Sequence, residues 1–347
     1  MKEKEVKVSI VVLVYNLEEY LPRCLDSLVN QTLQKIEILC VDDGSTDTAP
    51  KIIDEYAIKY PQKIKAYHKS NGGEYSTRNY GLERAIGEYI TFIDTDDYVE
   101  PNWAEALYEE AKKNDADIAV CGFERIDTNT NKVIGKDLIG NKNIVKDINP
   151  KDDFCAFINP APWNKLYKRE KVKHLRFLNL RCFSDMMFLA SSFIKLERIV
   201  IVPQILYHYY LRYDSQIHTI NQEDIDNFKK YILEVKKLYV EENKYQEMKN
   251  ILELMVFIHL AISIMYRASY NKEINFKQNR KEVKEYLKEY FPQWTKNPFL
   301  SFSYCIKRGT KHIGVWLVAK MYQLNLEGIF FGLYRFMIDV LKIDIKW

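Results

Sequence analysis

Four runs of apolar, largely β-branched residues constrain this chain more than any other feature: VSIVVLVY (8–15), IEILCVD (36–42), EYITFID (88–94) and DIAVCGF (117–123). A strand with one face in water alternates apolar and polar residues. A run that is apolar throughout must be covered on both faces, as in a parallel sheet sandwiched by helices. Between the runs, apolar residues recur at helical spacing, as at Leu21, Cys24, Leu25, Leu28 and Val29. Pro22 falls early enough in that helix to be tolerated, and Asn16 is placed to cap it. Helices are predicted over 49–59, 74–86 and 102–114, with a short strand over 63–68. Strand and helix alternate with short links for roughly 120 residues, which predicts an α/β fold with helices on both faces of a mostly parallel sheet. Ligands of such sheets bind beyond the carboxyl ends of the strands. Asn16, Asp42-Asp43 and Asp94-Thr95-Asp96-Asp97 stand there, so all three groups are expected on one edge.

The pattern changes after residue 124. A hairpin is predicted around Asn129-Thr130-Asn131, then mixed structure to about 220. From 222 to 294 the periodicity is helical and highly charged, and beyond 295 the chain turns apolar and basic. With 347 residues, 47% of them hydrophobic, the chain can bury one large domain plus an accessory part, or two domains. A net charge of +3 makes no case for nucleic-acid binding. The six cysteines are scattered, without a CxxC pair or Cys/His cluster, and read as buried thiols. The N-terminal MKEKEVK lacks a signal-peptide core, so a cytoplasmic location is expected and the Asn30-Gln31-Thr32 sequon carries no meaning. No window reaches the ~18 uninterrupted apolar residues of a spanning helix. Residues 254 to 266 come nearest and read as a buried core helix.

Asp94-Thr95-Asp96-Asp97 is the central motif. Carboxylates crowded at a strand end repel one another, and a divalent cation with a preference for oxygen, magnesium or manganese, relieves that repulsion. Such an ion also bridges a nucleotide diphosphate. The competing structural reading is a solvated acidic turn. In Val41-Asp42-Asp43-Gly44-Ser45, a carboxylate at a strand end can accept from a base N–H or from ribose, and Gly44 permits the tight turn beneath it; a plain cap and turn competes. Arg78, in Ser76-Thr77-Arg78-Asn79-Tyr80-Gly81, can reach a nucleotide's base or phosphates, or can be an ordinary exposed helix arginine.

The run VSIVVLVYN, then VDDGSTD, then STRNYGLERAIGEYITFIDTDDYVEP, resembles the family-2 glycosyltransferases of GT-A fold in content and in spacing. The resemblance is strong over 6–123 and extends in weaker form to about 215. It implies a GT-A catalytic domain over 1–220, with a nucleotide-binding half (1–123) and an acceptor-binding half (124–220), followed by a C-terminal helical domain over 221–347. By the same resemblance Leu13 and Tyr15 form the uracil-stacking edge and Asp43 bonds the uracil. Arg78 makes a second base or phosphate contact, and Asp94 with Thr95 lies near the ribose and metal-bound water. Asp96 is the direct ligand of Mn2+ or Mg2+. The segment Ala161-Pro162-Trp163-Asn164-Lys165-Leu166-Tyr167 resembles the family's WNKLY stretch, which makes Trp163 a candidate sugar-stacking wall or, equally, a core tryptophan. Phe183-Ser184-Asp185-Met186-Met187-Phe188 resembles the segment that usually reads Glu-Asp or Gly-Asp, which makes Asp185 the general base despite Ser184; a helix N-cap at the start of 186–196 competes. In the aromatic stretch 207–215, Arg212 is a candidate diphosphate contact and His218, just beyond it, a weaker one.

The resemblance implies direct displacement: a UDP-sugar donor, Asp185 activating the acceptor hydroxyl, and inversion at the anomeric carbon. The acceptor is expected to be a glycan or a lipid-linked oligosaccharide of a bacterial surface polymer, built at the cytoplasmic face. From 296 onward eight Lys and Arg stand against three acids, interleaved with aromatics. Such helices can lie on an anionic membrane surface, or can pack on the catalytic core or on a second subunit in a homo-oligomer. Two other functions remain open on sequence. A sugar-1-phosphate nucleotidyltransferase needs a glycine-rich loop after the first strand, which YNLEEYLP does not supply. A nucleotide-sugar-binding or assembly protein without transfer activity is the non-enzymatic alternative.

Overall fold

The computed structural model of the protein describes residues 6–212 and 220–339. These residues fall into two units. The first comprises Met1–Ile148, Pro160–Leu180 and Ser184–Ser215. It is built on a sheet whose strands are β1 (Val8–Val14), β2 (Ile36–Asp42), β3 (Ile64–His68), β4 (Tyr89–Asp94), β5 (Tyr98–Val99), β6 (Ile118–Asp127), β7 (Lys132–Asp137), β8 (Ile144–Asp147), β9 (Lys165–Lys168) and β10 (Arg198–Leu211). Their order is β3-β2-β1-β4-β9-β6-β10-β5, with β7 on β6 and β8 on β10. β3, β2, β1 and β4 run parallel; β9 enters antiparallel between β4 and β6. β6 and β10 are again parallel. The β6–β7 hairpin turns at Asn131, whose φ is 53°.

Both faces of the sheet are covered, as the apolar runs require. On one face Val8, Ile10, Val12 and Val14 pack with Leu21, Leu25 and Leu28 of α1 (Leu21–Val29) and with Trp103 and Leu107 of α4 (Trp103–Lys113). α2 (Ala49–Lys59) adds Ile53. The opposite face carries α3 (Glu74–Arg84) and, after the one-turn helix α5 (Arg169–Val172), α6 (Ser184–Ser192). There Phe188 of α6 meets Phe92 of β4 edge-on and stacks on Phe177, centroids 4.0 Å apart. α3 lies so close to β1 that a Cβ at Gly81 would stand 2.3 Å from Val11 Cγ1. Gly81→Ala is therefore expected to destabilise the fold by about 1–3 kcal/mol of overpacking, against about 1 kcal/mol gained in helix propensity. Urea unfolding measures it; an unchanged or raised stability would mean that α3 can move off the sheet.

The strand register sets the functional edge. Leu13 pairs with both Val41 and Asp94, and Val14 with Asp42. The acidic ends of β2 and β4 thus sit level on either side of β1. Asn16 does not cap α1, whose N-terminal neighbour Tyr20 makes no side-chain cap bond. It adopts φ 50°, and its Oδ1 accepts from Thr46 N–H at 2.8 Å, tying the loop after β1 to the loop after β2.

The second unit comprises Asn149–Asn159, Arg181–Phe183 and Gln216–Trp347. Two short segments from within the preceding 220 residues thus belong with the C-terminal helices. Asp153 shows why for the first: it is buried, accepts from Tyr304 Oη at 2.9 Å and lies 3.0 Å from His312 Nε2. The central helix of this unit runs from Tyr245 to Ala268 and is mostly buried. It is long and apolar enough to span a membrane by length and composition, and here it is the unit's core. Phe257 stacks on Trp294 at 5.1 Å, and Tyr322 Oη donates to the Ala261 carbonyl at 2.7 Å. The cysteines among the described residues are free thiols, all buried save the half-buried Cys182.

Candidate active site

β4 ends at Asp94, and the three carboxylates beyond its last apolar residue have different fates. Asp97 is buried: Oδ2 accepts from Tyr207 Oη at 2.5 Å and Oδ1 from Tyr210 N–H at 2.8 Å. It fastens the turn to β10 and is not available to a ligand. Thr95 is equally buried, and its hydroxyl donates to the Leu13 carbonyl. The Thr95 hydroxyl and the Leu13 carbonyl are therefore engaged with each other. Asp94 and Asp96 remain partly open, with side chains 27% and 16% exposed. Burial pushes the Asp94 carboxyl up to about 8 against the pull of Arg78. Burial also raises Asp96, which Arg212 and Arg23 pull back. Arg212 Nε stands 3.4 Å from Asp96 Oδ2, and Arg23 Nη2 donates to the Asp96 carbonyl at 2.6 Å.

Arg78 lies at the centre of the cluster. Its side chain is 2% exposed. Nη1 donates to Asp185 Oδ1 at 2.6 Å, Nη2 stands 3.4 Å from Asp94 Oδ1, and Glu74, one helical turn earlier, also pairs with Nη2. The nucleotide contact that the sequence suggests for Arg78 is thus not the state of this side chain: its two terminal nitrogens face carboxylates. Asp185 is the second residue of α6, in its first turn, not the cap. Its side chain is 29% exposed, and burial outweighs Arg78 in setting its carboxyl at about 6.

Asp43 is buried and fully engaged. It accepts from Gly72 N–H at 2.9 Å and Gly73 N–H at 2.7 Å, and pairs with Lys69. Gly44 beneath it has φ 74°, and a Cβ there would meet Asn71 N at 2.9 Å, so only glycine closes this turn. Here Asp43 shapes the loop that starts α3. Tyr15 is 48% exposed just beyond β1. Trp163 lies in the core: it stacks on Tyr207 at 4.4 Å and Tyr209 at 5.4 Å, with Phe123 edge-on. That packing accounts for the ring and places it as core rather than as a sugar platform. His218 lies outside the described residues.

Sequence reasoning missed Glu74 and Lys165 in this region, as well as Arg23 and Lys69. Glu74 sits four residues before Arg78, a spacing that faces the two together on a helix. Lys165 is wholly buried, with Nζ donating to the Ala161 carbonyl at 2.6 Å and Asn164 Oδ1 at 2.7 Å. Burial lowers its ammonium to about 7. Nothing in the WNKLY string marks that lysine as internal.

Among the described residues, no three His, Cys, Asp or Glu are gathered to hold a metal alone. The donor set nevertheless fits a divalent cation. Asp94 and Asp96 offer carboxylate oxygens that burial penalises as anions, and a hard cation removes that penalty when ligand oxygens complete its shell.

The family model for Glycosyl transferase family 2 matches residues 9–187. EpsH of Bacillus subtilis (strain 168), described as a glycosyltransferase, is 31% identical over 265 residues, 74% of this chain and 76% of its own. A cholesterol galactosyltransferase of Borreliella burgdorferi is 29% identical over 76% of this chain and 77% of its own. A poly(ribitol-phosphate) beta-glucosyltransferase of Bacillus spizizenii is 31% identical, but the match covers only 35% of that longer chain. The crystal structure of S. aureus TarS 1-349 in complex with UDP-GlcNAc matches with a TM-score of 0.71 at 17% identity, over 95% of this chain and 91% of that one. That likeness establishes the GT-A fold. The matched span holds β1, the Asp94–Asp96 edge and Asp185, and the chain belongs to glycosyl transferase family 2 and is a glycosyltransferase.

Proposed function

We propose that the enzyme moves a hexose or N-acetylhexosamine from a UDP-sugar to a hydroxyl of a glycan or lipid-linked acceptor, by direct displacement with inversion. One observation carries this reading: Asp185 and Asp94 lie on two nitrogens of the same guanidinium. A carboxylate suited to be a base is thereby held beside the carboxylates suited to the donor. TarS, of the same fold, has been crystallised with UDP-GlcNAc and with UDP, which supports a UDP-sugar donor.

Family-2 enzymes often use a divalent metal; here Asp96, with Asp94, would hold Mn2+ or Mg2+. Such an ion, when bound, supplies neutralisation of charge on the departing diphosphate. The chain's own residues do the rest. Asp185 takes the proton from the acceptor hydroxyl as that oxygen attacks the anomeric carbon. A carboxyl near 6 is ionised at neutral pH yet basic enough to hold the proton during attack. Arg212, beside Asp96, is placed to meet the diphosphate. Leu13 and Tyr15, with Asp43 behind the loop, form the edge proposed to receive uracil. The half 1–123 then serves the donor and the part of 124–220 that lies in the first unit serves the acceptor, with 221–347 and the segments 149–159 and 181–183 as the helical domain.

The experiment is a binding and turnover screen of UDP-glucose, UDP-galactose and their N-acetyl forms with Mn2+ or Mg2+. Turnover of at least one of them is expected, giving the β-anomer. Binding to none of the four would overturn the donor assignment, and retention of the α-configuration would overturn inversion.

The helical unit supports a place at the inner face of a membrane. In the helix Thr310–Gln323, Leu317 is exposed, as are Ile329, Leu333 and Phe336 of the helix Glu327–Asp339. Between 302 and 338 five basic residues accompany the single acid Glu327. Exposed apolar helix residues in a basic stretch of chain suit an anionic bilayer surface. The protein is expected to sediment with vesicles containing phosphatidylglycerol but not with pure phosphatidylcholine. Leu333→Glu with Phe336→Glu should abolish most of that sedimentation. Undiminished sedimentation of the double variant would remove this face from the account.

A further inference from the structure

We propose that Arg78 is a positioning residue: it fixes the general base Asp185 in register with Asp94 and makes no contact with the nucleotide. The proposal rests on the reading of Asp185 as the base.

Arg78 projects from α3, Asp94 ends β4, and Asp185 opens α6. Each of these elements is also held by contacts that do not involve Arg78. Gly81 seats α3 against Val11; β4 is paired along its length with β1; Phe188 anchors α6 on Phe92 and Phe177. The guanidinium joins the three through its pairs with Asp94 and Asp185. It is planar, and its nitrogens lie in fixed directions. With Nη1 on Asp185 at 2.6 Å and Nη2 toward Asp94 and Glu74, the placement of one carboxylate sets that of the others. The flat group also lies 5.3 Å from the Phe177 ring centroid, which limits its rotation.

A nucleotide contact by the same group is costly. Reaching a base or phosphate would mean leaving Asp185 and Asp94, and both carboxylates would remain largely desolvated without a counter-charge. At 2% exposure the side chain also offers almost no surface to a ligand. Nε is buried without a hydrogen-bond partner among the described residues, so packing and not hydrogen bonding fixes that side of the group. The three carboxylates outweigh burial and hold the guanidinium firmly charged. Lysine cannot substitute: a single ammonium on a flexible stem fixes no angle between two partners.

The predicted consequence is kinetic. A base misplaced by roughly 1 Å can cost about 10²-fold in rate. Arg78→Ala, Arg78→Lys, Asp185→Asn and the pair Arg78→Ala with Asp185→Asn are to be compared as full chains, with folding checked by circular dichroism. Binding is read with UDP and Mn2+, and kcat as UDP release from the donor that the screen identifies. Arg78→Ala and Arg78→Lys should each lower kcat by about 10²-fold, with the Kd for UDP within about threefold of the parent. In the Asp185→Asn background, Arg78→Ala should cost less than about threefold further, because a residue that acts through the base has nothing left to position. A UDP affinity weakened more than about tenfold with kcat preserved would make Arg78 a nucleotide contact and overturn the proposal. So would a full loss on top of Asp185→Asn, or an unchanged kcat. Should Arg78→Ala not fold, Arg78→Lys, which keeps the charge, gives the same comparison alone and with Asp185→Asn. Failure of the underlying reading shows separately, as an Asp185→Asn enzyme with parental kcat.

Discussion

Asp185→Asn is expected to lower kcat by about 10³-fold while leaving the Kd for UDP nearly unchanged. Asparagine keeps the shape of the side chain and an oxygen that can still accept from Arg78 Nη1, so α6 and the cluster around Arg78 should stay in place. What is lost is the ability to take a proton. The pH dependence gives a second reading of the same experiment. Burial raises the Asp185 carboxyl to about 6, so in the parent the basic form is present above that pH and is lost below it. The parent's rate should fall about tenfold per pH unit on the acid side of 6. The variant should lack that limb. Transfer near the parental rate, or an acid limb unchanged in the variant, would reduce Asp185 to a residue of the first turn of α6.

Asp96→Ala should abolish metal-dependent UDP release, a loss of about 10³-fold or more, without unfolding the protein. The stability argument runs opposite to the activity argument. Burial penalises the Asp96 anion more than Arg212 and Arg23 favour it, and its carboxyl is raised. A carboxyl raised on folding binds its proton more tightly folded than unfolded. Its contribution to stability is present at low pH and declines as pH rises through the folded pKa. At neutral pH, removing it should therefore leave the melting temperature unchanged or higher in the absence of metal. In the parent, Mn2+ with UDP should raise the melting temperature, because a ligand bound only by the folded state stabilises it. In Asp96→Ala that rise should vanish. Parental turnover that is equal with and without a chelator would remove the metal from Asp96, and a variant melting far below the parent would show the side chain to be structural.

Much of the site's address was legible from the chain alone. Continuous apolar runs have one inexpensive solution, a sheet covered on both faces, and its strands must end where the polar residues begin. That logic put Asp42-Asp43 and Asp94–Asp97 on one edge, and the register of β1 with β2 and β4 places their strand ends level. The limits fall at side-chain direction. Three aspartates at one strand end look alike in sequence, yet Asp97 turns inward to Tyr207 and Tyr210 while Asp94 and Asp96 stay partly open. Asp43 likewise reads as a ligand group and is found holding the Gly72-Gly73 loop.

By itself the sequence determined the α/β class, the edge where the acids gather and the family, because these follow from local periodicity and from the content and spacing of short motifs. Only the tertiary structure decided that Trp163 is core, that Lys165 is internal, that residues 149–159 belong with the C-terminal helices, and that Arg78 stands between Asp94 and Asp185. Arg78 and Asp185 are 107 residues apart. Their meeting depends on α3 and α6 packing on the same face of the sheet, and on burial that makes a shared guanidinium the least costly neutraliser of carboxylates drawn out of water.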